Sequence, residues 1–243
     1  MASYLVTGCS RGLGLALIAR LTTFPKTEVG TIIATARRDN SPRLKEVVKA
    51  SLGRVQLINL DVTNPESVNK AVGAVEHGLE GKGLDYLINN AGVMDWSPKG
   101  MEGMYVRFWI TTLHEPQWMG FDCSGTTSTR STSLASMAMA DTFRLLPSPA
   151  YKISKAALNM LTVQYANQYS DDGFIFLGVS PGWLRTDLGS ARADFSVETG
   201  AEKVLDIIQA AKPEHNGKFI NIHIPGWEAG DGADQYDGNE IPW

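Results

Sequence analysis

An apolar run, Tyr4-Leu5-Val6, passes directly into Thr7-Gly8-Cys9-Ser10-Arg11-Gly12-Leu13-Gly14. No other stretch restricts the fold as tightly. Glycines at Gly-x3-Gly-x-Gly spacing make a turn in which the backbone can approach neighbouring groups closely. A strand-like run before it and a helical pattern over residues 15–24 after it make a strand–turn–helix unit. Such a turn aims its amides, and the positive end of the helix dipole, at one spot suited to a phosphate. The spacing differs from the Gly-x-Gly-x2-Gly of the commonest dinucleotide fingerprint. The flanking elements therefore carry as much of the argument as the glycines.

The rest of the chain alternates in the same manner, as a parallel sheet with crossover helices requires. Strand patterns cover residues 31–36, 55–60, 84–88, 174–179 and 219–224. Thr63-Asn64-Pro65-Glu66 predicts a capped helix start with proline in the first turn, running to about residue 75. Thr199 with Glu202 predicts another helix, to about residue 211. The tail from residue 226 onward, rich in Gly and Asp, reads as irregular. The expected architecture is a single-domain α/β protein spanning residues 1–243, a Rossmann-type doubly wound parallel sheet.

The end of the second strand decides which dinucleotide suits the turn. An acidic residue there favours a ribose hydroxyl, whereas arginine favours a 2′-phosphate. Arg37-Arg38 stand at that place, Arg11 lies in the glycine turn, and no acid precedes Asp39. NADP(H) is the cofactor this predicts. Asp61, ending the third strand, is placed either to receive an adenine amino group or to cap the following helix.

A second signature stands about 140 residues later: Tyr151-Lys152-Ile153-Ser154-Lys155, opening a helical run. Tyr151 and Lys155 are four residues apart, hence on one helix face. Carbonyl reduction needs a hydride at carbon and a proton at oxygen. A free phenol, titrating at about 10, exchanges protons poorly at neutral pH. A nearby ammonium favours the phenolate and eases that exchange. With the glycine turn, this pair predicts a nicotinamide-dependent oxidoreductase.

Composition supports a soluble globular protein: 43% of residues are hydrophobic and 20% charged. A net charge of −4 gives no reason to expect nucleic acid or an anionic membrane as partner. The only cysteines, Cys9 and Cys123, make no disulfide framework, and no apolar stretch is long enough to span a bilayer. A cytoplasmic location is expected. The four histidines, His77, His114, His215 and His223, are scattered, and no metal is expected. Nor is there a Gly-x-Ser-x-Gly nucleophile turn. Trp96, Trp109, Trp118, Trp183 and Trp227 are read by default as packing residues.

The chain resembles the short-chain dehydrogenase/reductase family, and within it the small fungal and C-factor-like carbonyl reductases. The resemblance rests on the Thr-Gly-x3-Gly-x-Gly turn, Asp61-Val62, Asn89-Asn90-Ala91-Gly92, Tyr151-x3-Lys155, Pro181-Gly182 with Thr186-Asp187, and the closing Glu240-Ile241-Pro242-Trp243. It implies that Tyr151 is the acid/base and that Lys155 assists it and bonds the nicotinamide ribose. It implies a serine at the end of the fifth strand holding the substrate oxygen, with Ser131 and Ser133 as candidates. For the cofactor it implies Gly8, Ser10, Arg11, Gly12, Leu13, Gly14, Arg37, Asp61, Val62, Asn89, Asn90, Ala91, Gly92, Tyr151, Lys155, Pro181, Gly182, Leu184 and Thr186. A small carbonyl or alcohol substrate would be the partner, and homo-oligomerisation is left open.

One stretch departs from this pattern. Residues 121–133 contain only two apolar residues, Phe121 and Cys123, where the family places a buried fifth strand. The family's asparagine on the preceding helix is missing, since none stands between Asn90 and Asn159. Family-like sequence stops at about Met104 and resumes near Ser131, as a reading-frame error or misassigned intron would leave it. If residues 105–130 are genuine as written, a lost central strand and helix are expected. The competing reading is then a catalytically impaired relative that binds nucleotide or acts through protein contacts.

Overall fold

Strand β1 (Ala2–Val6) takes up the opening apolar run, and Leu5 and Val6 are fully buried within it. The computed structural model describes residues 1–38, 40–94, 99, 130–134, 148–229 and 235–242, with 130–134 described as backbone. After β1 come α1 (Gly12–Thr23), β2 (Val29–Ala36), α2 (Pro42–Ala50), β3 (Val55–Asn59), α3 (Pro65–Leu79) and β4 (Tyr86–Asn89). Then follow β5 (Arg130–Leu134), α4 (Pro149–Gln168), β6 (Ile175–Ser180), α5 (Val197–Ala210) and β7 (Phe219–Asn221).

All seven strands pair in parallel, in the order β3-β2-β1-β4-β5-β6-β7. The chain builds outward from β1 to β3, then restarts on the other side of β1 with β4. The crevice at this switch point, beyond the carboxyl ends of β1 and β4, is where ligands of open α/β sheets bind. One face of the sheet is covered by α1, α2 and α5, whose Leu17, Ile18, Leu21, Leu44, Val204, Leu205 and Ile208 are buried. On the other, Val68, Ala71, Val75 and Leu79 of α3 pack on Leu5, Ile33 and Leu87. Each buried Val, Leu or Ile among them contributes about 1.5–3 kcal/mol by leaving water.

Several elements differ from the sequence pattern. The fifth strand is present: β5 pairs with both β4 (Leu87↔Ser131, Asn89↔Ser133) and β6 (Ser131↔Phe176, Ser133↔Gly178). The expected loss of that strand is thus corrected. Buried β4 and β6 each present backbone groups that only a strand between them can satisfy, and this demand outweighs the strand's polar composition. The remainder of the doubtful stretch, residues 105–129, lies outside the described residues. Helix α2 has no counterpart in the sequence reading. It starts at Ser41, whose hydroxyl accepts from the Leu44 amide, with Pro42 in the first turn. For α3 the capping residue is Asn64 and not Thr63, its side chain accepting from the Glu66 and Ser67 amides. Likewise α5 begins ahead of Thr199, because the Ser196 hydroxyl accepts from the Thr199 amide.

The tail folds back along β7. The Asn221 amide donates to the Asn239 carbonyl at 2.9 Å and the Ile241 amide to the Phe219 carbonyl at 2.7 Å. The sheet edge is thereby covered.

Candidate active site

Gly8 and Gly12 hold left-handed backbone, with φ of 74° and 58°, conformations that other residues adopt only with strain. Close approach adds a second requirement. A side chain at Gly8 would place its Cβ 2.8 Å from Ala91 Cα, and one at Gly14 would lie 2.5 Å from both the Gly8 carbonyl oxygen and Asn90 Nδ2. The turn is therefore pressed against the loop after β4, and polar contacts lock the two together. Asn90 Nδ2 donates to the Thr7 carbonyl at 2.8 Å, while the Asn90 and Ala91 amides donate to Thr7 Oγ1 at 3.0 and 2.9 Å. Asn89 ends β4, and Gly92 is exposed just beyond. Leu13 is half-buried, packed onto the core under α1.

The first turn of α1 is left open. Its capping position, Arg11, makes no side-chain cap, and no acidic residue stands in that turn. Open amides, a dipole end and glycines that leave room beside them together fit a phosphate. On the same rim, the Ser10 carbonyl accepts from the Ser41 hydroxyl at 2.7 Å, tying the turn to the start of α2. Neither Ser41 nor Thr7 is among the candidates that sequence reasoning supplies, although Ser41-Pro42 is a recognisable helix-start signal.

Arg11 and Arg37, expected to converge on one phosphate, have separate partners. The exposed Arg11 guanidinium pairs with Asp187 at 2.7 Å. Arg37, also exposed, lies near Asp61. Hydrogen bonds from the Thr63 hydroxyl and amide hold the Asp61 carboxyl below its usual range, and the positive charge of Arg37 adds to this. Both acceptor contacts fall on Asp61 Oδ1, at 2.7 and 3.0 Å. Asp61 thus braces the turn leading into α3, whose cap is Asn64. Val62 is half-buried beside it, packed on the α3 side of the core.

Cys9, inside the glycine turn, is fully buried and its thiol donates to the Val6 carbonyl at 3.0 Å. Burial pushes this thiol up to about 12. It is a neutral packing group.

Tyr151 and Lys155 lie on α4, which starts at the same edge of the sheet. Tyr151 is buried, and Lys155 Nζ stands 5.4 Å from its ring centre. Asn159, one turn further along the same face, is buried too. Ser133 pairs with Asn89, the last residue of β4, while Ser131 pairs two rungs deeper with Leu87.

After β6 the chain makes a loop facing the glycine turn. Pro181 is half-buried, and Gly182 has a φ of 78°. Leu184 is buried against Gly200 of α5, where any Cβ would sit 2.5 Å from its Cδ1. Thr186 Oγ1 accepts from the Gly189 amide at 2.9 Å, and its Cγ2 lies 3.5 Å from the position of a Cβ on Gly12. The loop after β6 thus reaches the first turn of α1. Trp183 and Trp227 are partly exposed, and Trp227 packs against Phe195 and Tyr236; Trp96, Trp109 and Trp118 lie outside the described residues. No helix among the described residues is long and apolar enough to cross a membrane.

A glycine-lined, uncapped helix start at the switch point of a seven-stranded parallel sheet defines an α/β protein of the Rossmann type. The family model described as enoyl-(acyl carrier protein) reductase matches residues 8–220. The short chain dehydrogenase virK of Hypocrea virens is 30% identical over 76% of this chain and 75% of its own length. The short-chain dehydrogenase/reductase AacuF of Aspergillus aculeatus is 31% identical over 91% of this chain and 97% of its own. This chain belongs to the short-chain dehydrogenase/reductase family of oxidoreductases. Among solved structures, the carbonyl reductase Sniffer of D. melanogaster superposes over 100% of both chains with a TM-score of 0.82 at 22% identity. The NADPH-bound carbonyl reductase from chicken fatty liver covers 100% of this chain and 99% of its own, with a TM-score of 0.78 at 24% identity.

Proposed function

We propose that this protein is an NADP(H)-dependent reductase that interconverts a ketone or aldehyde with the corresponding alcohol. The observation that carries the reading is the stacking of Lys155 Nζ over the buried Tyr151 ring on a helix that starts at the ligand-binding edge. Bound NADPH would supply the hydride to the carbonyl carbon. Tyr151 donates its phenolic proton to the oxygen as charge develops there, and the Lys155 ammonium, held beside the ring, faces the negative charge left on the phenol oxygen. Of the two serines, Ser133 is assigned to the substrate oxygen, because the register sets it level with the end of β4 whereas Ser131 lies about 6–7 Å deeper.

The residues of the edge divide the cofactor among them. Gly8, Ser10, Gly12, Leu13 and Gly14 line the pyrophosphate position at the first turn of α1. Arg37 takes the 2′-phosphate, the feature that selects NADP(H) over NAD(H), Arg11, paired with Asp187, borders the pyrophosphate position, and Asp61 with Val62 flanks the adenine. Asn89, Asn90, Ala91 and Gly92 lie along the nicotinamide ribose with Tyr151 and Lys155. Pro181, Gly182, Leu184 and Thr186 cover the nicotinamide end. The NADPH bound in the chicken enzyme supports this choice.

NADPH oxidation followed across a panel of ketones and aldehydes tests the assignment. Turnover by the unsubstituted protein is expected, falling about 10²–10⁴-fold in Tyr151→Phe. A Tyr151→Phe protein that turns over as fast as the parent would remove tyrosine from the role of acid.

A further inference from the structure

Tyr236 belongs to the C-terminal tail, far in sequence from every residue discussed as a site, yet it is buried to 2% exposure. Its phenol is hydrogen-bonded on both sides by the loop after β6. It donates to Asp194 Oδ2 at 2.5 Å and accepts from the Trp183 amide at 3.3 Å. Its ring packs edge-on against Phe195, with centroids 4.9 Å apart, and Trp227 closes the cluster at 5.1 Å from Phe195. Gly182 is shaped to this arrangement, since a Cβ there would lie 3.2 Å from Tyr236 Cε1 and 2.8 Å from Ile222 Cδ1.

These contacts fall on the two ends of one loop. Trp183 follows Gly182 directly, and Asp194 precedes the stem of α5. Between them the backbone closes on itself: the Arg185 amide donates to the Phe195 carbonyl at 2.9 Å and the Phe195 amide to the Trp183 carbonyl at 3.2 Å. Leu184 and Thr186 sit at the bend so formed, Leu184 fixed in the space left by Gly200. One phenol thus joins both strands of the loop to the tail.

We propose that Tyr236 is a positioning residue for the nicotinamide-side loop, holding residues 181–186 in place through Trp183 and Asp194. The proposal rests on the function given above, in which that loop covers the nicotinamide end of the cofactor. A short hydrogen bond to a carboxylate is among the stronger kinds. Its loss frees a loop whose ordering then has to accompany every binding event.

The test compares two ligands in Tyr236→Phe, which keeps the ring and deletes only the oxygen. NADPH spans the whole edge, whereas adenosine 2′,5′-bisphosphate lacks the nicotinamide half. Titration is expected to show the NADPH Kd rising about tenfold, with that for adenosine 2′,5′-bisphosphate unchanged within about twofold. kcat at saturating NADPH should fall far less than kcat/KM for NADPH. Asp194→Ala should reproduce the pattern, and Asp194→Asn, which keeps an acceptor oxygen, should restore part of it. Equal weakening of both ligands, or of neither, would overturn the proposal. Should the unsubstituted protein bind no NADPH, the cofactor reading falls and this proposal with it. Normal NADPH binding that Tyr236→Phe leaves untouched overturns the positioning role alone.

Discussion

Helices α1 and α5 lie against each other and start at the same edge of the sheet, but their first turns are built in opposite ways. The start of α5 completes itself. Ser196 caps the Thr199 amide at 3.1 Å, and Glu198 sets a negative charge against the dipole. Ser41 and Asn64 cap α2 and α3 in the same way, and α3 also has Glu66 in its first turn. In α1 the corresponding position is Arg11, which caps nothing, and the turn is flanked by glycines instead of acids. A helix end that satisfies its own amides holds the fold together. One that leaves them open forgoes about 1 kcal/mol of capping, and in α1 the glycines beside it leave its amides open to an anion.

The glycines on the two helices provide the largest contrast. A Cβ on Gly14 would meet the Gly8 carbonyl and the Asn90 amide group, both fixed by the β1–β4 contact. Gly14→Ala is therefore expected to destabilise the protein by about 1–3 kcal/mol and to abolish NADPH binding, read by urea denaturation and by nucleotide titration. A Cβ on Gly200 would instead meet only the side chain of Leu184, which is buried but can shift without moving backbone. Gly200→Ala should retain NADPH binding, though weakened. If both variants behaved alike, the close approach at Gly14 would not be what makes the turn.

A matched pair of cap substitutions sharpens the comparison at smaller effect. Ser196→Ala removes a cap and should lower Tm by about 2–4 °C, with the NADPH Kd unchanged. Arg11→Ser installs a cap at the corresponding position of α1. It should raise Tm by a similar amount while weakening NADPH about tenfold, because an amide becomes occupied and a cation is lost. Thermal unfolding with and without nucleotide reads both. A lower Tm in Arg11→Ser would show that the open turn of α1 is not waiting for a partner.

Such contrasts also explain what was legible before the structure. The glycine turn, and Tyr151 with Lys155, are short-range patterns whose geometry follows from residue spacing alone. The helix starts at Ser41, Asn64 and Ser196 are local too, but α2 buries only Leu44, too little for a periodic apolar face. Strand β5 was misjudged because Arg130-Ser131-Thr132-Ser133-Leu134 is read as buried strand only once β4 and β6 stand on either side of it. Tyr236 carried no signal at all. Its partners, Trp183 and Asp194, are 53 and 42 residues away, and a tail rich in Gly and Asp has no periodicity to announce a buried phenol.

A last test separates the glycine turn from every capped start by its response to alkali. The thiol of Cys9 is held at about 12 by burial, against an ordinary 9, so the native state keeps a proton that the unfolded chain releases. Below pH 9 both states carry that proton, and the group has no influence on stability with pH. Between pH 9 and 12 only the native state carries it, and stability falls as pH rises, by about 1.4 kcal/mol per unit. Tyrosines and lysines titrate over the same range, but they are common to a Cys9→Ala variant. Urea denaturation of both proteins at pH 8 and pH 10.5 isolates the thiol. The parent should lose about 2 kcal/mol more than Cys9→Ala over that interval. Equal losses would mean that solvent reaches the sulfur and that the glycine turn is looser than its contacts with Ala91 and Asn90 imply.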